Sequence, residues 1–296
     1  MKILITGGTG LIGKALTKKL IAQGHKVNIL SRTKSKDSKV SEFKWDYQSG
    51  YLEEGALKGV EAIIHLAGAG IADERWTEKR KKEIIESRVN TLQLLEKHID
   101  KSTLKILIGG SAIGYYGGDT GENENTENTL PGKDFLAECT KKWENAEIEF
   151  AKKNNLKLVI VRTGVVLSLL GGALPKILIP INLNAGSAIG TGLQWISWIH
   201  IEDLNDILLK SLESNESLKI INGVAPQPER NNDFNKVAAK ILNKAYILPN
   251  VPSLLLKLIF GEMATVILGS NKVKYSGNHD FKFPTLELAL EDLLKK

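Results

Sequence analysis

Cysteine is almost absent from this sequence, since Cys139 is the single one among 296 residues. One thiol forms no intramolecular disulfide and no zinc site built from several cysteines, and it fits a reducing compartment such as the cytoplasm. The histidines are few as well, and their positions fit no metal-ligand spacing. The sequence therefore predicts a cytoplasmic protein without a disulfide framework or a metal centre.

Long apolar runs are also scarce. The longest, "VPSLLLKLIFGEMATVILG" at 251–269, is interrupted by Lys257, Gly261 and Glu262. A membrane-spanning helix needs roughly 20 predominantly apolar residues in succession. We therefore predict no membrane span and interpret Ser253–Gly269 as a helix that is buried or lines a pocket.

Positive charge exceeds negative charge, which gives a formal net charge of +6. The lysines are spread over helical surface segments such as "EKRKKEIIES" at 78–87, and the chain has no basic tail, helix-turn-helix signature or aromatic RNA-binding strand. We interpret the excess as a solvated, Lys-rich surface. The expected partner is a small-molecule substrate, with no nucleic acid and no membrane, and the sequence is compatible with a homodimer.

Short apolar runs alternate with longer amphipathic segments along the first 220 or so residues, which predicts an α/β protein with a Rossmann-type, doubly wound parallel sheet. Continuous apolar runs such as "ILI" and "LVIV" suit strands that are buried on both faces. The predicted strands are Lys2–Thr6, Lys26–Ser31, Ala62–Leu66, Lys105–Gly109, Leu158–Arg162 and Leu218–Asn222, and the predicted helices between them are Gly13–Gln23, Glu78–Ile99, Phe135–Asn154 and His200–Leu212.

The pattern changes near the C-terminus, where helical segments follow one another from Asn231 onward. A Gly-rich, irregular stretch at 171–192 interrupts the alternation earlier. We therefore expect residues 1–168 and 193–224 to form a nucleotide-binding domain. Residues 169–192 and 225–296 are expected to form a smaller, mostly helical lobe over the carboxyl edge of the sheet.

A glycine-rich turn follows the first predicted strand in "MKILITGGTGLIGKAL". It satisfies G-x-G-x-x-G, and a strand before it and a helix after it supply the context that this motif requires. Glycines allow the backbone to approach a pyrophosphate closely, while the amides of the helix N-terminus face it. The residues predicted to bind a dinucleotide here are Gly7, Thr9, Gly10, Leu11, Ile12 and Gly13.

The end of the second strand, "NILSRTK", bears on which dinucleotide is bound. Sites that prefer NAD place an acid here, on the ribose 2′-hydroxyl. This chain has Ser31 and Arg32, then Lys34, with no acid before Asp37. Because a guanidinium and a hydroxyl bind a 2′-phosphate well, we predict NADP(H) in preference to NAD(H). The alternative is a solvated arginine at a strand end.

Small residues end the third strand, in "AIIHLAGAG". Leu66, Ala67 and Gly68 would bring bare backbone against the adenosine and ribose of a cofactor. Downstream, Arg88 falls on the apolar stripe of a predicted helix, where a charged group needs a partner. Two interpretations stay open at this point: an ion pair with an interior carboxylate, or a contact to oxygens of cofactor or substrate.

Several of these segments together resemble a known superfamily. "GGTGLIG", "AIIHLAG", "SAIGYYG", "RTGVVL" and "WIHIEDL" are similar to the extended short-chain dehydrogenase/reductases, the NAD(P)-dependent epimerase/dehydratases. "IADERWTEKRKKEI", "FLAECTKKWE", "GGALPKILIP" and "GEMATVILGSNKV" resemble its YfcH-like epimerase-family branch, which has its own C-terminal domain. The resemblance implies a Rossmann domain, an NADP(H) site and a substrate lobe, and it supplies no particular reaction.

The resemblance also exposes a departure. The superfamily catalyses proton transfer with a Ser or Thr after the fourth strand and a Tyr-x-x-x-Lys pair on the next helix. Ser111 matches the first position, but Phe135 and Cys139 stand where the Tyr and Lys are expected. Phenylalanine carries no exchangeable proton and cysteine is no cation. Ser87 replaces an Asn that many members keep.

Two tyrosines lie close to Ser111 and are candidates for the missing phenol. Tyr115 or Tyr116 would donate the proton while Ser111 polarises a substrate carbonyl. The alternative is that "GYYG" is a packed aromatic turn. We expect an NADP(H)-dependent oxidoreductase or epimerase-like protein acting on an unknown carbonyl, alcohol or nucleotide-sugar-like substrate, with reduction favoured because it needs one proton donor. The other hypothesis is a non-catalytic NADP(H)-binding sensor or interaction protein.

Overall fold

The structure, a computed structural model, describes residues 1–33 and 40–295, so that Lys34 and Asp37 lie outside the described residues. The strands are β1 (Lys2–Thr6), β2 (Lys26–Ser31), β3 (Ser41–Asp46), β4 (Tyr51–Leu52), β5 (Ala62–His65), β6 (Ile106–Ala112), β7 (Asp119–Asn125), β8 (Lys157–Thr163), β9 (Val165–Leu167), β10 (Trp195–Ile196), β11 (Trp198–His200), β12 (Leu218–Gly223), β13 (Glu229–Arg230) and β14 (Ser270–Val273).

The helices connect these strands and dominate the C-terminal part. They are α1 (Leu11–Ala22), α2 (Glu78–Glu96), α3 (Phe135–Lys153), α4 (Leu174–Asn182), α5 (Ile201–Ser211), α6 (Asn231–Ile241), α7 (Ser253–Phe260), α8 (Ala264–Leu268) and α9 (Leu286–Leu294), with 3₁₀ turns at Ile113–Tyr116 and Gly261–Met263.

Eight strands form the central sheet in the order β12-β8-β6-β5-β1-β2-β3-β4. All neighbouring pairs are parallel except β3 and β4, which run antiparallel. The strand order reverses between β1 and β5, which sends the chain to both sides of β1. This confirms the predicted doubly wound α/β fold and places the ends of β1, β2, β5 and β6 side by side at one edge.

The sheet lies between two layers of helices because successive strand residues point to opposite faces. On one face Leu4, Ile63 and Leu107 pack with α2 and α3. On the other face Ile5 and Ile64 pack with α1 and α5. Both sets are buried, as the continuous apolar runs of these strands predict.

A third apolar cluster joins the C-terminal helices to the end of the sheet. Leu174 of α4, Phe234 of α6 and Leu290 of α9 pack around Trp198 of β11. The buried carboxylate of Asp203, in the first turn of α5, accepts hydrogen bonds from the backbone N–H groups of residues 282 (2.8 Å) and 283 (3.1 Å). These contacts hold the last helix against the strands that lead into the candidate site.

Several features differ from the predictions. The strands that were not predicted are β3, β4, β7, β9, β10, β11, β13 and β14, of which β3 and β4 extend the central sheet beyond β2. Helix α4 lies within the stretch at 171–192 that was predicted to be irregular. The helix predicted at Ser253–Gly269 is interrupted at Gly261, whose φ of 60° is left-handed. Its first half, α7, is not buried either, since Leu254 and Leu258 are each 69% exposed. Within the described part of the chain, no helix is long and apolar enough to cross a membrane.

Candidate functional site

A cleft of about 270 Å³ lies at the carboxyl edge of the sheet, where β1, β2 and β5 end. Most residues predicted to bind a cofactor line it, namely Gly7, Thr9, Gly10, Ser31, Arg32, Leu66, Ala67 and Gly68. Ser87, described above as a departure from the superfamily, also lines the cleft. The other lining residues were not predicted from the sequence, and they are Leu30, Trp45, Tyr47, Ala69 and Glu83. Leu11, Ile12, Gly13 and Arg88 are not part of this lining.

The glycine turn forms the floor of the cleft. Gly7 has a left-handed φ of 73°, and a Cβ there would lie 2.7 Å from the carbonyl group of Leu66. A Cβ on Gly13 would clash with the backbone of Gly7 and Gly8. Gly10 caps α1 without a side-chain hydrogen bond, so no side-chain cap covers the first amides of the helix, at Leu11 and beyond. These amides are the anion-binding groups of a helix N-terminus.

The end of β2 carries the two residues predicted to select NADP(H). Arg32 is exposed at the cleft and pairs with no carboxylate among residues 1–33 and 40–295. Ser31 is buried, and its hydroxyl donates a hydrogen bond to the carbonyl of Thr33 at 2.6 Å. The Ser31 oxygen keeps its accepting capacity, but in this arrangement its hydrogen is already used. The guanidinium of Arg32 is therefore the stronger candidate for a phosphate contact.

The loop after β5 is fixed by a chain of buried hydrogen bonds. The Ala67 amide donates to Thr6 Oγ1 (3.1 Å), which lies 2.9 Å from His65 Nδ1, and His65 Nε2 lies 3.2 Å from the Arg88 carbonyl. A carbonyl only accepts, so Nε2 carries the proton and Nδ1 accepts from Thr6. Burial lowers the pKa of His65 to about 3. The Ser87 hydroxyl adds a contact by accepting from the Ala69 amide at 2.9 Å.

Ser111 lies within β6, whose end is later than predicted, and pairs in register with Arg162 of β8. Its hydroxyl donates to Glu144 Oε1 at 2.6 Å. Arg162 binds both oxygens of the same carboxylate, with Nε at 2.8 Å from Oε1 and Nη2 at 2.9 Å from Oε2. All three side chains are buried. Burial acts to lower the pKa of Arg162, but Glu144 outweighs it and raises the pKa above its ordinary value.

This arrangement corrects the expected role of Ser111. Its single hydrogen points at Glu144, which as an ionised partner of Arg162 only accepts. In this geometry Ser111 does not donate to a substrate carbonyl. The lone pairs of its oxygen remain, so it would meet a ligand as an acceptor.

The two candidate tyrosines lie in the 3₁₀ turn after β6 and differ in their surroundings. The Tyr116 hydroxyl is enclosed, since it donates to Asn222 Oδ1 at 2.6 Å and accepts from Arg162 Nη1 at 3.1 Å. Burial raises the pKa of Tyr116. Tyr115 is half-buried, and its ring lies against the Arg162 guanidinium, with 3.4 Å between the guanidinium carbon and the ring centroid. The "GYYG" segment is thus a packed aromatic turn from which Tyr115 is the more accessible phenol.

Helix α3 carries Phe135 and Cys139 on its first turns. The Phe135 ring packs edge-on against Trp76 at 4.8 Å between centroids, and Lys81 Nζ lies 5.4 Å from its centroid. Cys139 is buried, and burial raises the pKa of its thiol. Neither side chain is equipped to move a proton at neutral pH.

A sequence profile described as "NAD dependent epimerase/dehydratase family" matches residues 3–222 of this chain. The chain belongs to this family. Its curated relatives include "Epimerase family protein SSP1921" of Staphylococcus saprophyticus, which is 37% identical over 301 residues. That alignment covers 98% of this chain and 98% of the relative. The "Epimerase family protein SDR39U1 homolog, chloroplastic" of Arabidopsis thaliana is 35% identical over 283 residues, which cover 92% of this chain and 80% of that protein.

Solved structures show the same relationship. The crystal structure of human epimerase family protein SDR39U1 (isoform 2) with NADPH superposes with a TM-score of 0.85 at 33% identity. The alignment covers 100% of this chain and 99% of the human one. Family membership and fold therefore extend over the whole chain, including the C-terminal helices.

Arg88 lies on α2 next to the loop after β5. Of the two interpretations left open above, the ion pair with an interior carboxylate is not formed with any described residue. The Arg88 guanidinium instead donates to the carbonyls of Ala69 (3.1 Å) and Ile84 (2.6 Å). It also stacks on Trp143 of α3 at 4.8 Å from the ring centroid.

Some site residues were missed by the sequence analysis. Trp45 and Tyr47 enter the cleft from the end of β3, and their rings lie 6.0 Å apart. The alternation in "EFKWDY" is the signal that would have placed a strand there. Glu83 lines the cleft while its Oε2 accepts from Arg80 at 2.9 Å. Glu144 was missed because an acid in mid-helix ordinarily faces solvent.

Glu147 lies one turn after Glu144 on α3 and is fully buried. Its carboxyl group sits directly on β6, where only the missing Cβ of Gly109 leaves room. Neither oxygen has a hydrogen-bond partner among the described residues. Burial, and then the charge of Glu144, raise the pKa of Glu147 well above its usual range. The native state therefore holds this proton more tightly than the unfolded chain does.

Replacing Glu147 with Gln should stabilise the protein more as the pH rises. A glutamic acid with a raised native pKa makes the native state less stable once the pH exceeds the pKa of the unfolded chain, which is about 4.3. Glutamine never ionises, so we expect a small effect at pH 4.5 and a gain of several degrees in Tm at pH 8.5, where about 1 kcal/mol corresponds to ~2–4 °C. Thermal melts across this pH range measure it.

Exposed Glu149 on the same helix provides the matched control, because Glu149→Gln should shift Tm little at any pH. A Glu147→Gln effect that is equal at pH 4.5 and 8.5 would show that the carboxyl is not held protonated.

Proposed function

We propose that this protein is an NADP(H)-dependent oxidoreductase of the extended short-chain dehydrogenase/reductase type, acting on a small or nucleotide-linked alcohol/carbonyl substrate. The observation that carries the proposal is the cleft, which is lined together by the glycine turn, Ser31–Arg32 and residues 66–68. The human relative whose structure contains NADPH supports this choice of cofactor. NADPH supplies a hydride when bound, and the side chains must then orient the substrate and supply a proton.

The preference for NADP(H) rests on Arg32. An exposed guanidinium at the end of β2 provides two parallel donors for a 2′-phosphate. No described acid lines the β2 side of the cleft, where a carboxylate would repel that phosphate. Glu83, the one acid among the described residues that line the cleft, comes from α2 and is held by Arg80.

For the chemical step we propose that Ser111 and Tyr115 act on the substrate oxygen. Ser111, with its hydrogen directed at Glu144, orients a substrate hydroxyl by accepting its hydrogen bond. Tyr115 is the proton donor of the pair, since the Tyr116 hydroxyl is used by Asn222 and Arg162. Arg162 links the two roles by holding Glu144 with its guanidinium edge and Tyr115 with its face.

A second function is favoured by a specific observation, the packing of α3. With Phe135 against Trp76 and Cys139 buried, α3 has no proton-transfer group at the two positions where the superfamily pattern places the Tyr and Lys. A protein that binds NADP(H) and senses its redox state, or presents the occupied cleft to a partner, needs no proton donor. This alternative shares the cofactor site and differs only in turnover.

The deciding experiment is a titration with NADPH and NADH, followed by a screen of aldehydes, ketones and quinones for NADPH oxidation. We expect NADPH to bind more tightly than NADH and at least one carbonyl to be reduced. On that carbonyl, Tyr115→Phe should lower kcat by about tenfold or more, as expected for the loss of a positioned proton donor, whereas Ser111→Ala should lower kcat less, because Ser111 accepts a hydrogen bond only from the alcohol form of the substrate.

Tyr51→Phe, at an exposed position on β4, is the control for the tyrosine substitution. Tight NADPH binding without turnover across the panel would support the sensor. Absence of binding to either dinucleotide would overturn both functions. Turnover that survives Tyr115→Phe would remove Tyr115 from the chemical step.

A further inference from the structure

Arg88 has hydrogen-bond donors that the protein does not use. Its Nη1 donates to the carbonyls of Ala69 and Ile84. Its Nε is buried and has no partner within the described structure, and its Nη2 forms no hydrogen bond to any described residue. A half-buried cation whose Nε is buried without a partner is costly unless another group satisfies its donors. The arrangement points to a ligand that supplies oxygen atoms.

The position of Arg88 indicates which part of a ligand it would meet. A Cβ on Gly68 would lie 2.8 Å from the guanidinium carbon, so it is the missing side chain of this lining residue that leaves room for the cation next to the cleft. Ser87, the preceding residue, and Ala69, whose carbonyl Arg88 holds, both line the cleft. The guanidinium of Arg88 thus lies against the loop after β5, whose residues Gly68 and Ala69 line the cleft.

The strand order gives the direction along a bound dinucleotide. The order β6-β5-β1-β2 places Arg32 at one side of the glycine turn and Gly68, Ala69 and Ser111 at the other, and neighbouring strands are about 4.8 Å apart. With the 2′-phosphate on Arg32 and the pyrophosphate over β1, the second ribose falls at the end of β5. That is the ribose that bears the nicotinamide.

We propose that Arg88 binds the hydroxyl groups of the nicotinamide-side ribose, and so supplies from α2 the cation that α3 lacks at Cys139. The guanidinium rests on Trp143, which lies one helical turn after Cys139 on the same helix. Arg88 belongs to α2, and its guanidinium therefore lies against α3 close to Cys139. This inference rests on the proposed NADP(H) site and adds to it the residue that holds the reactive half of the cofactor.

The test uses two probes and four proteins. NADPH contains both halves of the cofactor, whereas adenosine 2′,5′-bisphosphate contains the 2′-phosphate and the first phosphate but no second ribose. Each is titrated calorimetrically into wild type, Arg88→Met, Arg88→Lys and the control Lys82→Met, which removes an exposed charge from the same helix. We expect Arg88→Met to weaken NADPH by about 10- to 100-fold, the range for a lost charge-assisted hydrogen bond.

Affinity for the bisphosphate should change less than about threefold in Arg88→Met, because the adenosine half is untouched. Arg88→Lys, which keeps the charge with fewer donors, should fall between wild type and Arg88→Met for NADPH and serves as the readout should the methionine variant not fold. Lys82→Met should match wild type with both probes.

Equal weakening of both probes would overturn the inference, since it would assign Arg88 to the adenosine half or to general folding. Unchanged NADPH affinity in both Arg88 variants would overturn it as well. If wild type binds neither probe, the proposed function itself fails, which is a different result from either of these.

Discussion

Replacing Arg32 with Asp is expected to weaken NADPH binding by about 100-fold or more while changing NADH affinity by less than about threefold. Hydrogen bonds to a charged group contribute about 1.5–3 kcal/mol, and the new carboxylate adds repulsion of a 2′-phosphate. NADH has a hydroxyl at that position, which an acid accepts readily. Paired fluorescence titrations with the two dinucleotides at fixed ionic strength measure the change.

The control for this substitution is Lys18→Asp, which makes the same charge change on the exposed side of α1, away from the cleft. It should alter both affinities slightly and equally. An equal loss of NADPH and NADH in Arg32→Asp would remove Arg32 from the 2′-phosphate site, and cofactor selection would then have to reside elsewhere on the cleft wall.

Replacing Arg162 with Met should destabilise the fold by about 3–5 kcal/mol, the usual cost of removing one partner from a buried ion pair. Arg162 is 1% exposed and binds both oxygens of Glu144, which is itself 4% exposed. Methionine fills much of the volume but leaves the Glu144 charge without its cation. It also removes the hydrogen bonds to Tyr116 and to the carbonyl of Glu127. Urea unfolding at pH 7 provides the measurement.

A double-mutant cycle separates the ion pair from the rest of the network. Combining Arg162→Met with Glu144→Leu removes both charges, and we expect it to recover more than half of the lost stability, because paired deletion leaves no buried charge. If the double mutant instead loses the sum of the unfolding free energies lost by the two single mutants, this expectation is contradicted. Arg162 would then contribute through the packing of its side chain and not through its charge.

Much of the fold could be predicted from local signals. Strands β1 and β2 have the predicted boundaries because each is a short apolar run. The glycine turn and α1 that lie between them mark where β1 ends and where β2 begins. The same signals placed Gly7, Gly10 and Arg32 at the cleft. Each of these depends on the backbone of its own segment, which sequence patterns describe well.

The rest depends on contacts between distant segments. Glu144 lies on α3, and nothing near it in the sequence reveals that it forms a buried ion pair with Arg162 of β8 and accepts a hydrogen bond from Ser111. Trp45 reaches the cleft only because β3 pairs with β2 across a connection that includes residues 34–39, which lie outside the described structure. The apolar segment that contains α7 was predicted to be buried or to line a pocket, and it is the tertiary arrangement that leaves Leu254 and Leu258 exposed. Long-range pairing of this kind has no local signature.

The solitary, buried Cys139 has a practical consequence. A thiol reagent reaches it only when α3 lifts from its neighbours, so the rate of labelling under native conditions reports how often that local opening occurs. Because Arg88 and Trp143 form part of the same surroundings, we expect a ligand that binds at the loop after β5 to slow the reaction. The protein thus contains its own kinetic probe, with no competing thiol, for events near that loop.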